Sequence, residues 1–557
     1  MTKKYFSSRD LEKSLMKFFL ILSILTIALG ERDRDDKANN AQYQGQGHAL
    51  KSSHGGSDCQ DDDHDQCEET TDYAMNTRGT HYKPSWINKH NVASLQHLWQ
   101  FQGCGAITAS PVVLHWGVCW SDYGGCFQCV RHNGTLIAQK NLTSDYGLMD
   151  HALSRQNPTY ADGRFVILQT GRFGFLPPSY GTWLLTVNAT TLELIAKVQV
   201  TFFNFSLLTQ SPIVKDGWIY FGTSSNEEGS PFLYPGYPCC NFAGQFFSYN
   251  LYTLQQRWVW DAIPAALVGP GKYSGVAIWS GSPLFYKNLV IFSTGNLYSQ
   301  PASVDQCLLA NPTNGSCIDP GVHYDSIVAV DINTGLTART RRSGEPDAWN
   351  GACFARHLLP GCPLAFSEDA DFGNPPMLSL PGPRGKRYIN LGQKNGMEWS
   401  IDADTFEIVN VSLVAPGDEG GGFQFGGTMN NLNQVFLASA NNGRKPHLTL
   451  SGQNITCGSW MRFNVTGALE KELVSPKLDT IPGAMSSTND VVFGGTGTGR
   501  LVAMSNDLEI LWSYETGIKI NAAPAIYCDR LYWGTGSNPS FSGPMPGIMH
   551  AFGLPDL

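Results

Sequence analysis

The chain has 557 residues, a formal net charge of −9 and only 15% charged residues. The acidic balance and the lack of a basic cluster exclude nucleic acid as an expected partner. With 59 glycines and 11% aromatic residues, the composition is typical of turn-rich β structure and argues against disorder or a coiled coil. The length allows two to four average domains or one large repeat architecture.

The first 30 residues have the pattern of a secretory signal. Lys17 precedes an apolar run over Phe18–Leu29, and Gly30 follows it. This run is too short to span a bilayer, so we predict a signal peptide at 1–30, with an uncleaved anchor as the alternative. Fourteen cysteines and eight Asn-x-Ser/Thr sequons also predict a secreted, extracellular N-glycosylated protein. The sequons begin at Asn133, Asn141, Asn188, Asn204, Asn314, Asn410, Asn454 and Asn464.

Residues 31–72 are polar and acidic, which predicts a disordered linker. Asp61–Asp65, between Cys59 and Cys67, has carboxylates that suit calcium. The spacing lacks the Gly and the terminal Glu of an EF-hand loop. A solvated linker is therefore the favoured interpretation of this segment.

From Tyr73 onward one pattern recurs eight times: a small residue with Pro or Gly, a short turn, a β-branched or aromatic run, and a further strand. The units begin at Pro111, Pro158, Pro212, Pro283, Pro376, Gly427, Gly483 and Pro524. Their mean period is about 59 residues, longer than the roughly 40–50 residues of common propeller repeats because of long loops. Three or four short strands per unit predict an all-β fold, an eight-bladed β-propeller over 73–557. Gln96–Phe101 precedes the first unit and is expected to complete the last blade.

Six segments in a fixed order carry a family resemblance. They are Asn91–Trp99, Tyr237–Cys240, Ser293–Ser299, Asp331–Gly335, Asp347–Asn350 and Gly392–Gly396. Across Tyr73–Leu557 the chain resembles the pyrroloquinoline quinone (PQQ) dehydrogenases, in particular their polyvinyl-alcohol dehydrogenase-like branch. The resemblance implies a quinoprotein alcohol dehydrogenase-like propeller of PQQ repeats. It also implies PQQ and a cation, usually Ca²⁺, on the central axis, and oxidation of alcohols.

The resemblance assigns the metal ligands. Glu227 in Gly222-x-Ser224-x-x-Glu227 matches a cation-ligating Glu, and Asn296 matches a ligating Asn. Asp369 is expected to add a carboxylate, and Asp371 matches the extra ligand of lanthanide-type members. Carboxylate and amide oxygens are the ligands that a hard cation prefers.

The same resemblance assigns catalytic and cofactor-binding residues. Trp279 matches the aromatic floor under the quinone, Lys394 the residue that reaches a quinone oxygen, and Arg155 an Arg that binds a PQQ carboxylate. In family enzymes the segment that matches Asp347–Asn350 has the sequence Asp-x-Trp-Asp, and its last Asp is the catalytic base. In this chain Asn350 follows Trp349. We interpret 350–368 as an insertion and predict Asp369 as the catalytic base. Asp347 is the second candidate for the base.

The spacing of the cysteines suggests local disulfides within loops rather than a covalent haem site. Cys307–Cys317 and Cys353–Cys362 are expected to be local disulfides, whereas the pairing of Cys239 and Cys240 stays open. In Cys126-x-x-Cys129 no His follows the second Cys, so covalent haem is not expected. A separate electron acceptor is then required.

Two functions follow from these features. The first is a secreted PQQ- and Ca²⁺-dependent alcohol dehydrogenase acting on a small-molecule or polymeric alcohol. The second is a non-catalytic extracellular propeller that serves as a binding platform, because a fold alone does not determine function. The expected discriminator is whether Glu227, Asn296 and an Asp carboxylate converge on one point with Trp279 beside it.

Overall fold

The computed structural model describes residues 67–170, 181–234, 236–418, 420–537 and 547–555. The predicted signal peptide and all but the last six residues of the predicted linker lie outside this range. Within it, no helix has the length and apolar character needed to cross a bilayer.

Eight four-stranded antiparallel sheets form the blades of the predicted propeller, and each blade is named here by its order along the chain. Blade 1 contains Val112–Leu114, Gly117–Ser121, Cys126–Val130 and Leu136–Asn141. Blade 2 contains Thr159–Ala161, Arg164–Gln169, Thr182–Asn188 and Leu194–Thr201. Blade 3 contains Ile213–Lys215, Trp218–Gly222, Gln245–Asn250 and Gln256–Asp261. Blade 4 contains Leu284–Tyr286, Leu289–Ser293, Ser326–Asp331 and Thr337–Arg342.

The remaining four blades have the same strand order. Blade 5 contains Met377–Leu378, Tyr388–Gly392, Met397–Asp402 and Ile408–Leu413. Blade 6 contains Thr428–Met429, Val435–Ser439, Ser459–Phe463 and Leu469–Val474. Blade 7 contains Ser486–Thr488, Val491–Gly495, Arg500–Ser505 and Ile510–Glu515. Blade 8 contains Ala525–Tyr527, Arg530–Gly534, Ile548–Gly553 and, as its outermost strand, Gln96–Gln102.

Shorter elements lie in the loops. Among the described residues, three two-stranded ribbons pair Ser206–Leu207 with Ser224–Ser225, Ser274–Gly275 with Leu297–Ser299, and His447–Leu448 with Asn454–Ile455. The α-helices are Ser230–Leu233 and Ala302–Ala310. The 3₁₀ turns are Val92–Ser94, Asn226–Gly229, Ala265–Leu267, Gly315–Cys317, Gly351–Ala355 and Pro383–Gly385.

The ring is closed by the strand that the sequence assigns to the last blade. Gln96–Gln102 pairs antiparallel with Ile548–Gly553, so the outermost strand of blade 8 comes from ahead of blade 1. A separate buried apolar cluster joins each blade to the next, and one of them joins blade 8 to blade 1 through Tyr532 and Trp120. Closure therefore removes the free sheet edges that an open array would expose.

Burial on both blade faces explains why the inner strands are almost continuously apolar. In the second strand of blade 3, Ile219 and Phe221 pack towards blade 2, whereas Tyr220 packs towards blade 4. Alternate side chains of a strand point to opposite faces, and here neither face meets water.

The described chain begins with a segment attached to the propeller. Cys67 is disulfide-bonded to Cys528, and Thr70 exchanges backbone hydrogen bonds with Val113 of blade 1. These contacts place residues 67–72 with the propeller, although the sequence assigns them to the linker.

Candidate active site

The loops that carry the expected site residues all leave the same rim of the propeller. In an antiparallel pair, the start of the first strand and the end of the second lie at one edge of the sheet. Trp279 precedes the first strand of blade 4, and Asp371 precedes that of blade 5; Asn296 and Lys394 follow the second strands of these two blades. This topology brings four residues that are distant in sequence to one place.

Beside this place, a cavity opens between the blade entries, with about 540 Å³ of empty volume, part of it open to solvent. Residues that enter six different blades line it: Thr108, Asn157, Ser211, Gly281, Ala484 and Ala523. Trp279 and Arg155 line the same cavity, and Arg155 Nη1 lies 3.5 Å from the hydroxyl of Tyr123. Because contributions come from around the ring, the cavity lies at the propeller's centre.

A buried ion cluster lies next to Trp279, which lines the cavity. Lys394 Nζ lies 2.9 Å from each carboxylate oxygen of Asp369 and 3.0 Å from Asp371 Oδ2. Trp279 Nε1 donates to the same Asp371 oxygen at 2.8 Å, and the ammonium lies 5.1 Å from the Trp279 ring centroid. Three of the expected site residues are thus bonded directly to Asp371 or to its partner Lys394.

Asn296 completes the cluster from blade 4. Its backbone N–H donates to Asp371 Oδ1 at 2.5 Å, and its side-chain Nδ2 donates to the carbonyl of Trp349 at 3.0 Å. The amide is held so that Oδ1 is buried without a hydrogen-bond partner among the described residues. An orphaned carbonyl oxygen beside carboxylates suits a cation ligand.

Glu227, the Glu predicted as metal ligand, has a different set of partners. Its Oε1 accepts from Tyr237 Oη at 2.8 Å, and its Oε2 accepts from the backbone N–H groups of Asn241 at 2.8 Å and Phe242 at 2.7 Å. The carboxylate therefore organises the loop that carries the adjacent cysteines. These bonds use both of its oxygens, and none of the described contacts joins Glu227 to Asp369, Asp371 or Lys394.

The neighbouring Glu228 faces the cluster instead, and sequence reasoning missed it. Its Oε1 is buried without a hydrogen-bond partner among the described residues. Burial, together with the nearby negative charge of Asp371, raises the pKa of Glu228 to about 8, although Lys394 opposes the shift. Because Glu227 and Glu228 share a single 3₁₀ turn, adjacent side chains point in directions about a third of a turn apart. The only sequence signal for Glu228 is its adjacency to Glu227.

Asp347, the second candidate for the base, lies behind the ion cluster. One of its oxygens accepts from the hydroxyl of Ser367, and the other accepts from the backbone N–H of Ala370 at 2.6 Å. Asp347 therefore holds the segment that carries Asp369 and Asp371. Asp369 itself has a left-handed backbone, with φ of +59°.

Electrostatics hold the cluster together. Burial raises the pKa of Asp369 well above its usual value, and Lys394 offsets only part of this shift. Burial by itself would lower the pKa of Lys394, but Asp369, Asp371 and Glu228 outweigh it and raise that pKa. The ammonium is therefore charged at neutral pH and serves as the counter-ion of the carboxylates.

The cysteines near the site pair internally. Cys239 and Cys240 form a disulfide between adjacent residues, and both pack in an apolar cluster with Phe242, Tyr298 and Trp279. The local disulfides Cys307–Cys317 and Cys353–Cys362 are confirmed.

The two cysteines of Cys126-x-x-Cys129 bond to separate partners rather than to each other. Cys126 pairs with Cys104, and Cys129 pairs with Cys119.

Comparisons with known proteins agree with this architecture. No protein-family model matches the chain. A polyvinylalcohol dehydrogenase from Pseudomonas sp. is 25% identical over 340 residues, which cover 56% of this chain and 47% of that protein. One from Sphingopyxis sp. (strain 113P3) is 24% identical over 372 residues, which cover 61% and 51% respectively. The chain thus spans about half the length of the curated relatives it matches.

The fold has a counterpart among solved structures. The quinohemoprotein alcohol dehydrogenase from Comamonas testosteroni superimposes with a TM-score of 0.65 and 18% identity, covering 88% of this chain and 82% of that one. This likeness concerns the propeller, whereas the polyvinylalcohol dehydrogenases match in sequence. On the two findings together, the chain is similar in sequence to polyvinylalcohol dehydrogenases and shares its fold with a quinohemoprotein alcohol dehydrogenase.

Proposed function

We propose that the protein oxidises alcohols to aldehydes or ketones with PQQ and a divalent cation, Ca²⁺ or a lanthanide ion in its place. The observation that carries this proposal is the buried contact of Lys394 with Asp369 and Asp371, next to Trp279, which lines the axial cavity. The carboxylate of Asp369 and the ammonium of Lys394 lie side by side, next to the ring of Trp279. Alcohol oxidation by a flat quinone requires a base, a cationic donor and an aromatic surface of this kind.

The residues present fit a hard cation. Asp369 and Asp371 supply carboxylate oxygens, and Asn296 Oδ1 and Glu228 Oε1 are buried oxygens without a hydrogen-bond partner among the described residues. Ca²⁺ takes six to eight such oxygens. We propose Asp369, Asp371, Asn296 and Glu228 as ligands, with Glu228 taking the role that the sequence assigns to Glu227.

The cavity fits a planar, anionic cofactor. The indole of Trp279 provides a face on which a flat ring stacks, and Arg155 provides a guanidinium for a carboxylate. When bound, PQQ supplies the acceptor for the hydride of the alcohol carbon, and the cation makes that acceptor more electrophilic. Every other task falls to side chains of this chain.

Asp369 and Lys394 divide the proton and charge chemistry. Asp369 takes the proton from the alcohol oxygen as the hydride leaves the adjacent carbon. With the cofactor bound, Lys394 would supply a positive charge next to a quinone oxygen. Its contacts with Asp369 favour the ionised form of that carboxylate and oppose the effect of burial.

Partner and location follow from the same proposal. The substrate is a small-molecule or polymeric alcohol, and the electrons pass to a separate acceptor. Six disulfides among the described residues suit an oxidising, extracellular compartment, and the sequons and the predicted signal peptide support secretion.

Reconstitution tests the function. Purified protein is loaded with PQQ and Ca²⁺, and reduction of an artificial dye is followed after an alcohol is added. We expect turnover in the wild type and a loss of about 10²–10⁴-fold in kcat in Asp369→Asn, with PQQ binding retained. Protein that binds PQQ but reduces no dye with primary, secondary or polymeric alcohols would favour the binding platform.

A further inference from the structure

A second cavity lies behind the ion cluster, between blades 4 and 5. It has about 980 Å³ of empty volume, part of it open to solvent. Its lining includes four carboxylates, from Asp325, Glu345, Asp347 and Glu368, and no Lys, Arg or His among the described lining residues. Glu368 is paired with Lys445 at 3.5 Å, so the deeper carboxylates are the ones that lack a counter-ion.

Asp325 is the least satisfied of these groups. It is fully buried, and neither of its carboxylate oxygens has a hydrogen-bond donor among the described residues, since the side chain within hydrogen-bonding reach is the carboxylate of Asp347. Its backbone is fixed, since its N–H donates to Gly295 and its carbonyl accepts from Ser343 N at 2.9 Å. A rigid backbone therefore presents a bare carboxylate to the cavity. A buried carboxylate without a partner is costly unless a proton or a cation accompanies it.

Asp347 lies next to Asp325 and increases the free-energy cost of burying the ionised Asp325 carboxylate. Burial first, and then the negative charges of Asp347 and Asp371, raise the pKa of Asp325 well above its usual value. Asp347 accepts one hydrogen bond on each oxygen, from Ser367 and from Ala370 N. A carboxylate oxygen has two lone pairs, so each retains a free position. The hydroxyl of Ser343, in the same cavity, is also buried without a partner among the described residues.

We propose that Asp325, Asp347 and Ser343 bind a second divalent cation, Ca²⁺, in this cavity. Carboxylate and hydroxyl oxygens are the hard donors that Ca²⁺ prefers, and the open volume accommodates the waters that complete its shell. A proton shared by the two carboxylates is the rival explanation, but it leaves Ser343 unsatisfied. Because Asp347 also holds Ala370, between Asp369 and Asp371, this cation positions the acidic segment of the active site.

Calcium stoichiometry tests the site without reference to activity. The full chain, free of PQQ, is titrated with Ca²⁺ by calorimetry, and bound metal is counted after equilibrium dialysis. We expect two Ca²⁺ per wild-type chain and one in Asp325→Asn. Asp371→Asn should lose the other ion and keep this one, which separates this site from the proposed active-site cation. The matched control Asp216→Asn, an exposed carboxylate in a blade 3 turn, should bind two.

A milder variant covers the case in which Asp325→Asn does not fold. Ser343→Ala removes one hydroxyl, and we expect it to weaken this site by about tenfold, in the range seen when metal-site partners are removed. Equal stoichiometry and equal affinity in wild type, Asp325→Asn and Ser343→Ala would overturn the proposal. So would a wild-type protein whose bound Ca²⁺ is wholly lost in Asp371→Asn.

Discussion

The ammonium of Lys394 lies 2.9 Å from both carboxylate oxygens of Asp369. This pair is buried, with side-chain exposures of 10% and 5%, and a second carboxylate, from Asp371, shares the same ammonium. One cation therefore compensates two anions in a place that water scarcely reaches. Stability and chemistry both depend on it.

Lys394→Met should destabilise the fold strongly, because it leaves two buried carboxylates without their counter-ion. We expect a loss of about 3–5 kcal/mol in the free energy of unfolding, measured by chemical denaturation. The control is Lys287→Met, which removes an exposed ion pair with Asp404 and should leave the free energy of unfolding nearly unchanged. Similar losses in the two variants would contradict the compensating role of Lys394.

Glu228→Gln and Glu227→Gln should separate a metal ligand from a loop-organising carboxylate. At the cation site that Asp371→Asn removes, Glu228→Gln should weaken Ca²⁺ binding by about 10–100-fold. Glu227→Gln should leave that affinity unchanged. It should instead lower stability by about 1.5–3 kcal/mol, since charge-assisted bonds from Asn241 and Phe242 are lost. Calorimetry and thermal unfolding measure the two effects, and the reverse outcome would restore Glu227 as the ligand.

Replacing both Cys67 and Cys528 by Ser should lower stability without affecting the site. Their bond ties the segment ahead of blade 1 to a turn of blade 8 across 461 residues, and removing a disulfide typically costs about 2–5 kcal/mol. Thermal unfolding of the double variant, with Ca²⁺ binding measured in parallel, tests this. An unchanged midpoint would show that Gln96–Gln102 is sufficient to hold that segment.

Acid should weaken the closure of the ring through His550. Burial lowers the pKa of His550 to about 4, from about 6.5 in the unfolded chain. The native state thus resists protonation, so stability is complete above pH 6.5 and decreases as pH falls towards 4. The largest contribution is about 3 kcal/mol.

The comparison of variants isolates this group. His550→Asn should flatten the dependence of unfolding free energy on pH between 6.5 and 4. Burial also lowers the pKa values of His81 and His323 to about 4. These two residues should account for the pH dependence that remains in the variant. An identical slope in His550→Asn and wild type would contradict the assignment.

The sequence by itself determined the repeat, the eight blades and the strand that closes them. Strand, turn and repeat signals are local: Trp218–Gly222 forms a strand through its own β-branched and aromatic residues, and Asp331 caps its own turn by accepting from Asn333 and Thr334. Closely spaced cysteines such as Cys353 and Cys362 pair for the same reason. Gln96–Phe101 was predicted as the closing strand because it is an extra strand ahead of the first repeat, and a closed ring needs such a strand to complete its last blade.

Only the tertiary structure decided which side chains meet. Glu227 and Glu228 are indistinguishable in sequence, and the choice between them depends on how the loop at Tyr237–Phe242 captures one carboxylate. Asp325 ends an ordinary loop before a strand, and nothing near it in sequence shows that Asp347 will lie beside it. Local patterns reflect energies between near neighbours, whereas a buried charge is stabilised or left unpaired by residues tens of positions away. That is why the blades could be predicted and the oxygen donors at their rim could not all be.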